Sequence, residues 1–158
     1  MEHSNVLIVG GGCAGISVAS RINSLKSDLS ISIIEPSEKS LYQAAWTLVG
    51  AGAYDVGNTI KPMSEVMPSY VKWIKEHAEE FMPDSNSVKT NSNTYTYDYL
   101  VVCPGLKLNF DGVAGLKESL GKNNVCTNYS AEMATYTWEC LKNLDGGTLL
   151  FTEPPMPI

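Results

Sequence analysis

No stretch of the sequence reaches the ~18 consecutive apolar residues that a membrane-spanning helix requires. Nor do its 158 residues, with a net charge of −6, hold a Lys/Arg-rich tract, so nucleic acid is not an expected partner. Cys13, Cys103, Cys126 and Cys140 are too few and too scattered for a disulfide scaffold or a CxxC metal site. His3 and His77 stand far apart and make no zinc pattern, so no metal site is expected. This cysteine usage fits a reducing compartment in which any thiol chemistry is catalytic. The start, Met1-Glu2-His3-Ser4-Asn5, lacks the Lys or Arg of a signal peptide, and the apolar run after it ends in three consecutive glycines. Repeats and low-complexity tracts are missing too. What is present is ordinary for a globular chain: 44% hydrophobic and 18% charged residues, enough for one domain or part of a larger one.

Val6-Leu7-Ile8-Val9 is a continuous apolar run, as expected of a strand buried on both faces of a parallel sheet. Glycines follow, then Ile16 to Ile22 with apolar residues at helical spacing, then a second buried run, Ile31-Ser32-Ile33-Ile34. Strand, helix and strand in this order predict the βαβ unit of a doubly wound sheet. The joint between them is Gly10-x-Gly12-x-x-Gly15. Gly10 permits a sharp turn, Gly12 lets a pyrophosphate approach the backbone, and Gly15 lets helix pack on strand. The helix N-terminus then points free N–H groups at the phosphates, with Cys13 and Ala14 inside the turn. Glu35, 20 residues after Gly15, supplies a carboxylate for a ribose diol and would repel a 2′-phosphate, which argues against NADP.

Leu41 to Gly57 shows no clean period and reads as irregular, with room for a short helix. Thr59 to Met67 suits a helix ended by Pro68. From Val71 to Phe81, Val71, Ile74, Ala78 and Phe81 fit a helix, whereas Val71, Trp73 and Lys75 fit a strand. The turn clusters at Pro83–Asn86 and Asn91–Asn93, flanking Val88-Lys89-Thr90, and the strand-like Thr94–Tyr97 favour strand for its start. Tyr99-Leu100-Val101-Val102 reads as a third buried strand, ending in Cys103-Pro104-Gly105. Ser130 is placed to N-cap a helix with Met133, Tyr136, Cys140, Leu141 and Leu144 on its apolar face. Thr148 to Thr152 reads as a fourth buried strand. FAD and NAD share the ADP half, and the second strand-plus-glycine site at Leu100–Gly105 is similar to the strand ending in Ala-Thr-Gly of two-dinucleotide flavoproteins. Cys103 and Pro104 depart from that pattern.

Leu41 to Gly52, following Glu35-Pro36-Ser37, closely resembles sulfide:quinone oxidoreductases. The resemblance continues through Pro68–Ile74, Tyr97–Val102 and Val125–Ser130, and covers nearly the whole chain. It implies an α/β fold: a Rossmann-like FAD/NAD(P)-binding doubly wound parallel sheet with a small β-meander insertion, incomplete at the C-terminus. It also implies a peripheral membrane flavoenzyme that oxidises sulfide through cysteine persulfides and passes two electrons through FAD to quinone. Gly10 to Gly15 would meet the pyrophosphate and Glu35 the adenosine ribose, with Gln43, the backbone of Ala78 and the Gly105 turn as further FAD contacts. The match around Ala78 also favours strand there. Some members of the family carry a redox cysteine at or near the place of Cys126 and others a serine, which makes Cys126 the candidate catalytic thiol. Cys13, Cys103 and Cys140 read as space-filling.

Residues 1–110 are expected to form an FAD-binding domain with its meander at about 71–98. Residues 111–158 would then be a linker, a helix and the first strand of a second nucleotide-binding-like domain. The family's persulfide-forming cysteine segment is expected just after Ile158, so the chain reads as an N-terminal part that alone binds FAD weakly and lacks sulfide:quinone activity. The expected place is the cytoplasmic side of a bacterial membrane, or else the mitochondrial inner membrane. The alternatives are a type II NADH dehydrogenase-like or related flavoprotein and, should Ile158 be the true end, a catalytically inactive nucleotide-binding protein.

Overall fold

The computed structural model describes residues 1–153. The first strand, β1 (Glu2–Val9), leads through the glycines into helix α1 (Cys13–Leu25) and back into β2 (Ile31–Ile34). β1 and β2 are parallel, with Val6 opposite Ile31 and Val9 opposite Ile34. This is the predicted βαβ unit. Alternation along β1 sends Val6 and Ile8 to one face, where they meet Ala19 of α1, Ile31, Ile33 and Val71. Leu7 and Val9 face the other way, into a cluster with Ile34, Ile74, Val88, Tyr95 and Tyr97. Burial on both faces explains the unbroken apolar run.

After β2 the chain forms the ribbon strand β3 (Lys39–Leu41), a 3-10 turn, helix α2 (Trp46–Gly50) and a second 3-10 turn at Val56–Thr59. Then come β4 (Ile60–Pro62), antiparallel to β3, and the short helix α3 (Met63–Val66). The helix predicted over Thr59–Met67 is therefore only its second half. Lys39–Leu41 holds the first half extended by pairing with Ile60–Pro62.

Val71 to Phe81 contains two strands, β5 (Val71–Ile74) and β6 (Ala78–Met82). β5 does not belong to the meander but lies parallel to β2, Val71 opposite Ile31. The meander starts at β6, turns at Asn86 with positive φ, and runs through β7 (Ser87–Thr90) into β8 (Thr94–Val102). The sheet order is β5-β2-β1-β8-β7-β6. Thr94–Tyr97 and Tyr99–Val102 are thus one strand, whose first half pairs with β7 while its whole length pairs in parallel with β1. β7 ends its pairing at Thr96, so the second half of β8 has no strand on that edge among the described residues. Tyr99 and Val102 are consequently exposed, against the expectation of a fully buried strand.

Beyond β8 lie α4 (Leu116–Ser119) and α5 (Ala131–Lys142). Ala131 and Ala134 of α5 pack on Trp46 and Val49 of α2. Ser130 stands at the N-cap of α5, but its hydroxyl donates to Glu132 Oε2 at 2.5 Å instead of capping the helix. The strand expected at Thr148–Thr152 is not formed. Apolar content alone does not make a strand: Gly146 and Gly147 both take positive φ, no strand pairs with this stretch among the described residues, and Leu150 and Phe151 are over 80% exposed (85% and 81%).

Candidate cofactor-binding site

β1 must turn at once onto α1, and Gly10 makes the turn with φ +102° while donating its N–H to the Ile34 carbonyl at 2.9 Å. Beside it, the Cys103 N–H donates to the Val9 carbonyl at 2.7 Å, which brings the end of β8 against the turn. Gly15 lies close on the same turn, where a Cβ would stand 1.9 Å from the Gly10 carbonyl oxygen. The start of α1 is thereby held over the end of β1.

Gly12 stands at the N-cap position of α1 and has no side chain to offer the first-turn N–H groups, and no acidic residue sits in that turn. A Cβ on Gly12 would meet nothing within 4 Å. An open space faces an uncapped helix N-terminus, with Cys13, Ala14 and Gly15 in its first turn. Partial positive charge and unpaired donors make this a place for an anion.

Glu35 follows β2 directly, with its N–H bonded to the Ile74 carbonyl at 2.9 Å. Its carboxylate accepts from the Gly11 N–H at 2.8 Å (Oε2) and from the Ser37 N–H at 2.7 Å (Oε1). A Cβ on Gly11 would lie 2.7 Å from the Glu35 Cβ. Two backbone donors therefore fix the carboxylate beside the glycine turn, with lone pairs left for a diol. The Trp73 indole N–H donates to the Glu35 carbonyl at 2.7 Å. Lys75 stacks its ammonium 4.3 Å from the Trp73 ring centroid and bonds Glu38 at 2.8 Å, which holds the Glu38 carboxyl below the usual carboxylate range.

Of the residues expected from the sequence, the structure brings Gly10, Gly12, Gly15 and Glu35 together. Gly11, Ser37 and Trp73, not singled out from the sequence, stand beside them and bond Glu35. The signals were there: a third glycine inside the motif, and a serine two residues after the acid. Gln43, itself exposed, opens a 3-10 turn, Ala78 begins β6 half-buried against the Leu7 cluster, and Gly105 turns away from β8 with φ +77° into open space. These three stand on separate elements. The arrangement of turn, helix end and carboxylate fits the pyrophosphate and ribose of a dinucleotide.

Cys126 lies on the loop before α5. Its thiol donates to the Asn124 carbonyl at 3.6 Å. Burial first, and the neighbouring Cys140 thiol second, push its pKa up. A reactive thiol needs the opposite shift.

Residues 4–135 match the pyridine nucleotide-disulphide oxidoreductase family. The chain belongs to that family. Relatives that match along nearly its whole length are sulfide:quinone oxidoreductases. It is 36% identical over 158 residues to the mitochondrial sulfide:quinone oxidoreductase of Mus musculus, covering 99% of this chain and 35% of that one. It is 43% identical over 154 residues to the mitochondrial sulfide:quinone oxidoreductase of Dictyostelium discoideum, covering 96% and 34%. Among solved structures, the sulfide:quinone oxidoreductase of Aquifex aeolicus superposes with a TM-score of 0.70 at 30% identity, covering 90% of this chain and 32% of that chain. The chain thus spans about a third of the length of these relatives. The family is one of oxidoreductases, and the mixed, mostly parallel sheet is its fold.

Proposed function

We propose that the chain is the N-terminal part of a flavoprotein that oxidises sulfide and passes the electrons by way of FAD to quinone. The observation that carries the reading is the Glu35 carboxylate gripped by the Gly11 and Ser37 amides beside the uncapped start of α1. A dinucleotide needs both features, one for each end of its ADP half. In this reading Gly10, Gly12, Cys13, Ala14 and Gly15 surround the pyrophosphate, and Glu35 accepts the ribose hydroxyls. Gln43, the Ala78 backbone and the Gly105 turn add contacts towards the rest of FAD. Residues 1–110 form the FAD-binding domain, and 111–158 lead into a second nucleotide-binding-like domain.

When bound, FAD supplies acceptance of two electrons from reduced sulfur and their release to quinone. This chain's residues bind and orient: the α1 amides neutralise phosphate charge, and Glu35 fixes the ribose. Cys126 is the candidate thiol of this segment for sulfur chemistry, and its raised pKa would have to be lowered in the full-length protein for it to react. Membrane contact, on the cytoplasmic side of a bacterial membrane or at the mitochondrial inner membrane, belongs to the full-length protein; no helix among the described residues is long and apolar enough to cross a membrane.

The test is purification of the protein encoded by the full reading frame, with bound flavin read by its absorbance and quinone reduction followed with sulfide or NADH as donor. Bound flavin and sulfide-dependent reduction are expected. Reduction with NADH alone would replace this reading by a type II NADH dehydrogenase-like one. The 158-residue chain by itself is expected to bind FAD weakly and to reduce no quinone.

A further inference from the structure

Glu35 is held from a second side, by the end strand of the sheet. β5 lies parallel to β2, with Trp73 opposite Ile33 and Ile74 opposite Ile34. The Ile74 carbonyl accepts from the Glu35 N–H at 2.9 Å, and β5 ends there. The Glu35 carbonyl is met by a side chain instead: the Trp73 indole N–H donates to it at 2.7 Å. A half-buried indole can leave its N–H to water, yet this one is committed to a backbone oxygen at short range. The ring is clamped in turn. Lys75 sets its ammonium 4.3 Å from the ring centroid and bonds Glu38 at 2.8 Å. The stretch from Glu35 to Glu38 therefore hangs from β5 at three points: the Glu35 N–H, the Glu35 carbonyl and the Glu38 carboxylate. Ser37 and Glu38 are exposed, so polar ties rather than packing set the shape of this turn. That turn is what presents the Ser37 N–H to the Glu35 carboxylate at 2.7 Å.

We propose that Trp73 is a positioning residue for nucleotide recognition: its indole N–H, with the ring clamped by Lys75, holds the Glu35 carbonyl and so fixes the turn that aims the Glu35 carboxylate at a ribose diol. The proposal rests on the reading of Glu35 as the ribose acceptor. Trp73 acts through Glu35 and needs no contact of its own with the nucleotide. Without the indole bond the Glu35 carbonyl turns to water and the turn gains freedom. The Ser37 amide then no longer holds Oε1 in one place, and the ligand must pay to order the carboxylate on binding. The effect is specific to the diol, because the adenine and the phosphates do not depend on where that carboxylate points.

The experiment is titration calorimetry of the 158-residue chain with ADP and with 2′,3′-dideoxy-ADP, which keeps the base and both phosphates and lacks the diol. The parent is expected to prefer ADP by about tenfold. In W73F the preference is expected to fall to about threefold, the share of one neutral hydrogen bond, while dideoxy-ADP binds as it does to the parent. K75A keeps the indole N–H and loses the clamp on the ring, and it is expected to lower the preference in the same direction by less. In E35A the preference is absent, and adding W73F to it changes nothing further. An unchanged preference in W73F overturns the role of Trp73 and leaves the ribose reading standing. Equal weakening of both ligands in W73F makes Trp73 a residue of the fold alone and also overturns it. Should W73F fail to fold by circular dichroism, K75A decides on the same ratio, since its side chain is exposed and its loss spares the core. A parent that binds both ligands alike, or neither, overturns the ribose reading itself and the role of Trp73 with it.

Discussion

The carbonyl oxygen of Cys103 fills the space in which a side chain on Gly10 would begin, 1.9 Å from where that Cβ would stand. Gly10 also holds φ +102°, so two independent penalties oppose any other residue there. Gly10→Ala is expected to lower stability by at least about 2 kcal/mol, read as a fall in the urea midpoint. Cys103→Ser is expected to leave the midpoint near that of the parent, because the obstructing atom is backbone. Equal midpoints for Gly10→Ala and the parent would show that the turn yields.

Gly11 acts through Glu35. Its missing Cβ leaves room for the Glu35 stem, and its N–H grips the carboxylate. Gly11→Ala and Glu35→Ala are each expected to weaken ADP binding about tenfold, or about 1.4 kcal/mol, by titration calorimetry. Unchanged affinity in Glu35→Ala would remove the carboxylate from the ribose.

Trp46 of α2, packed against α5, donates its indole N–H to Thr59 Oγ1 at 3.1 Å in a buried setting. Thr59 in turn donates to the Val56 carbonyl at 2.7 Å. Thr59→Val keeps the shape and strands the indole donor. A loss of about 1–3 kcal/mol is expected in chemical denaturation, and a neutral result would mean that Trp46 finds another acceptor.

Glu76 ties the base of the meander. It accepts from Thr90 Oγ1 at 2.5 Å, Asn93 Nδ2 at 2.8 Å and the Tyr95 hydroxyl at 3.1 Å. The bond from Thr90 is the chief reason its pKa lies below the ordinary glutamate value. A lowered folded-state pKa contributes stability above the unfolded value of about 4.3, and that stability is lost as pH falls through the folded value. Glu76→Gln is therefore expected to flatten the acid limb of a stability–pH curve below about pH 4.3. Parallel acid limbs in variant and parent would count against it.

The local chemistry of the fold was legible where one segment determines its own state. Val6–Val9 and Ile31–Ile34 announce buried strands because burial on both faces removes every polar position but Ser32, and Ser32 meets Ser4 at 2.6 Å across the pair. Partnership was not legible. Val71–Ile74 looks like meander from its neighbours in sequence, yet joins β2, where Val71 completes the cluster on one face and Ile74 the cluster on the other. Thr148–Thr152 has strand composition without a strand beside it, and stays exposed. At the candidate site the motif marks Gly10 and Glu35. The third glycine and the serine after Glu35 stand in the sequence as signals for Gly11 and Ser37, but the grip itself depends on the Glu35 side-chain rotamer.

β1 and β8 lie side by side, yet the hydrogen bond from Asn5 to Asp98 joins residues 93 positions apart, as does that between His3 and Thr96. Contacts of such separation close late and slow a fold. On the ribosome, β1 can find β2 early, but its other edge waits until Tyr95 to Val102 have emerged. Until then the glycine turn lacks the Cys103 carbonyl that shapes it. The candidate site, written in the first residues to be made, is complete only once Cys103 has been made as well.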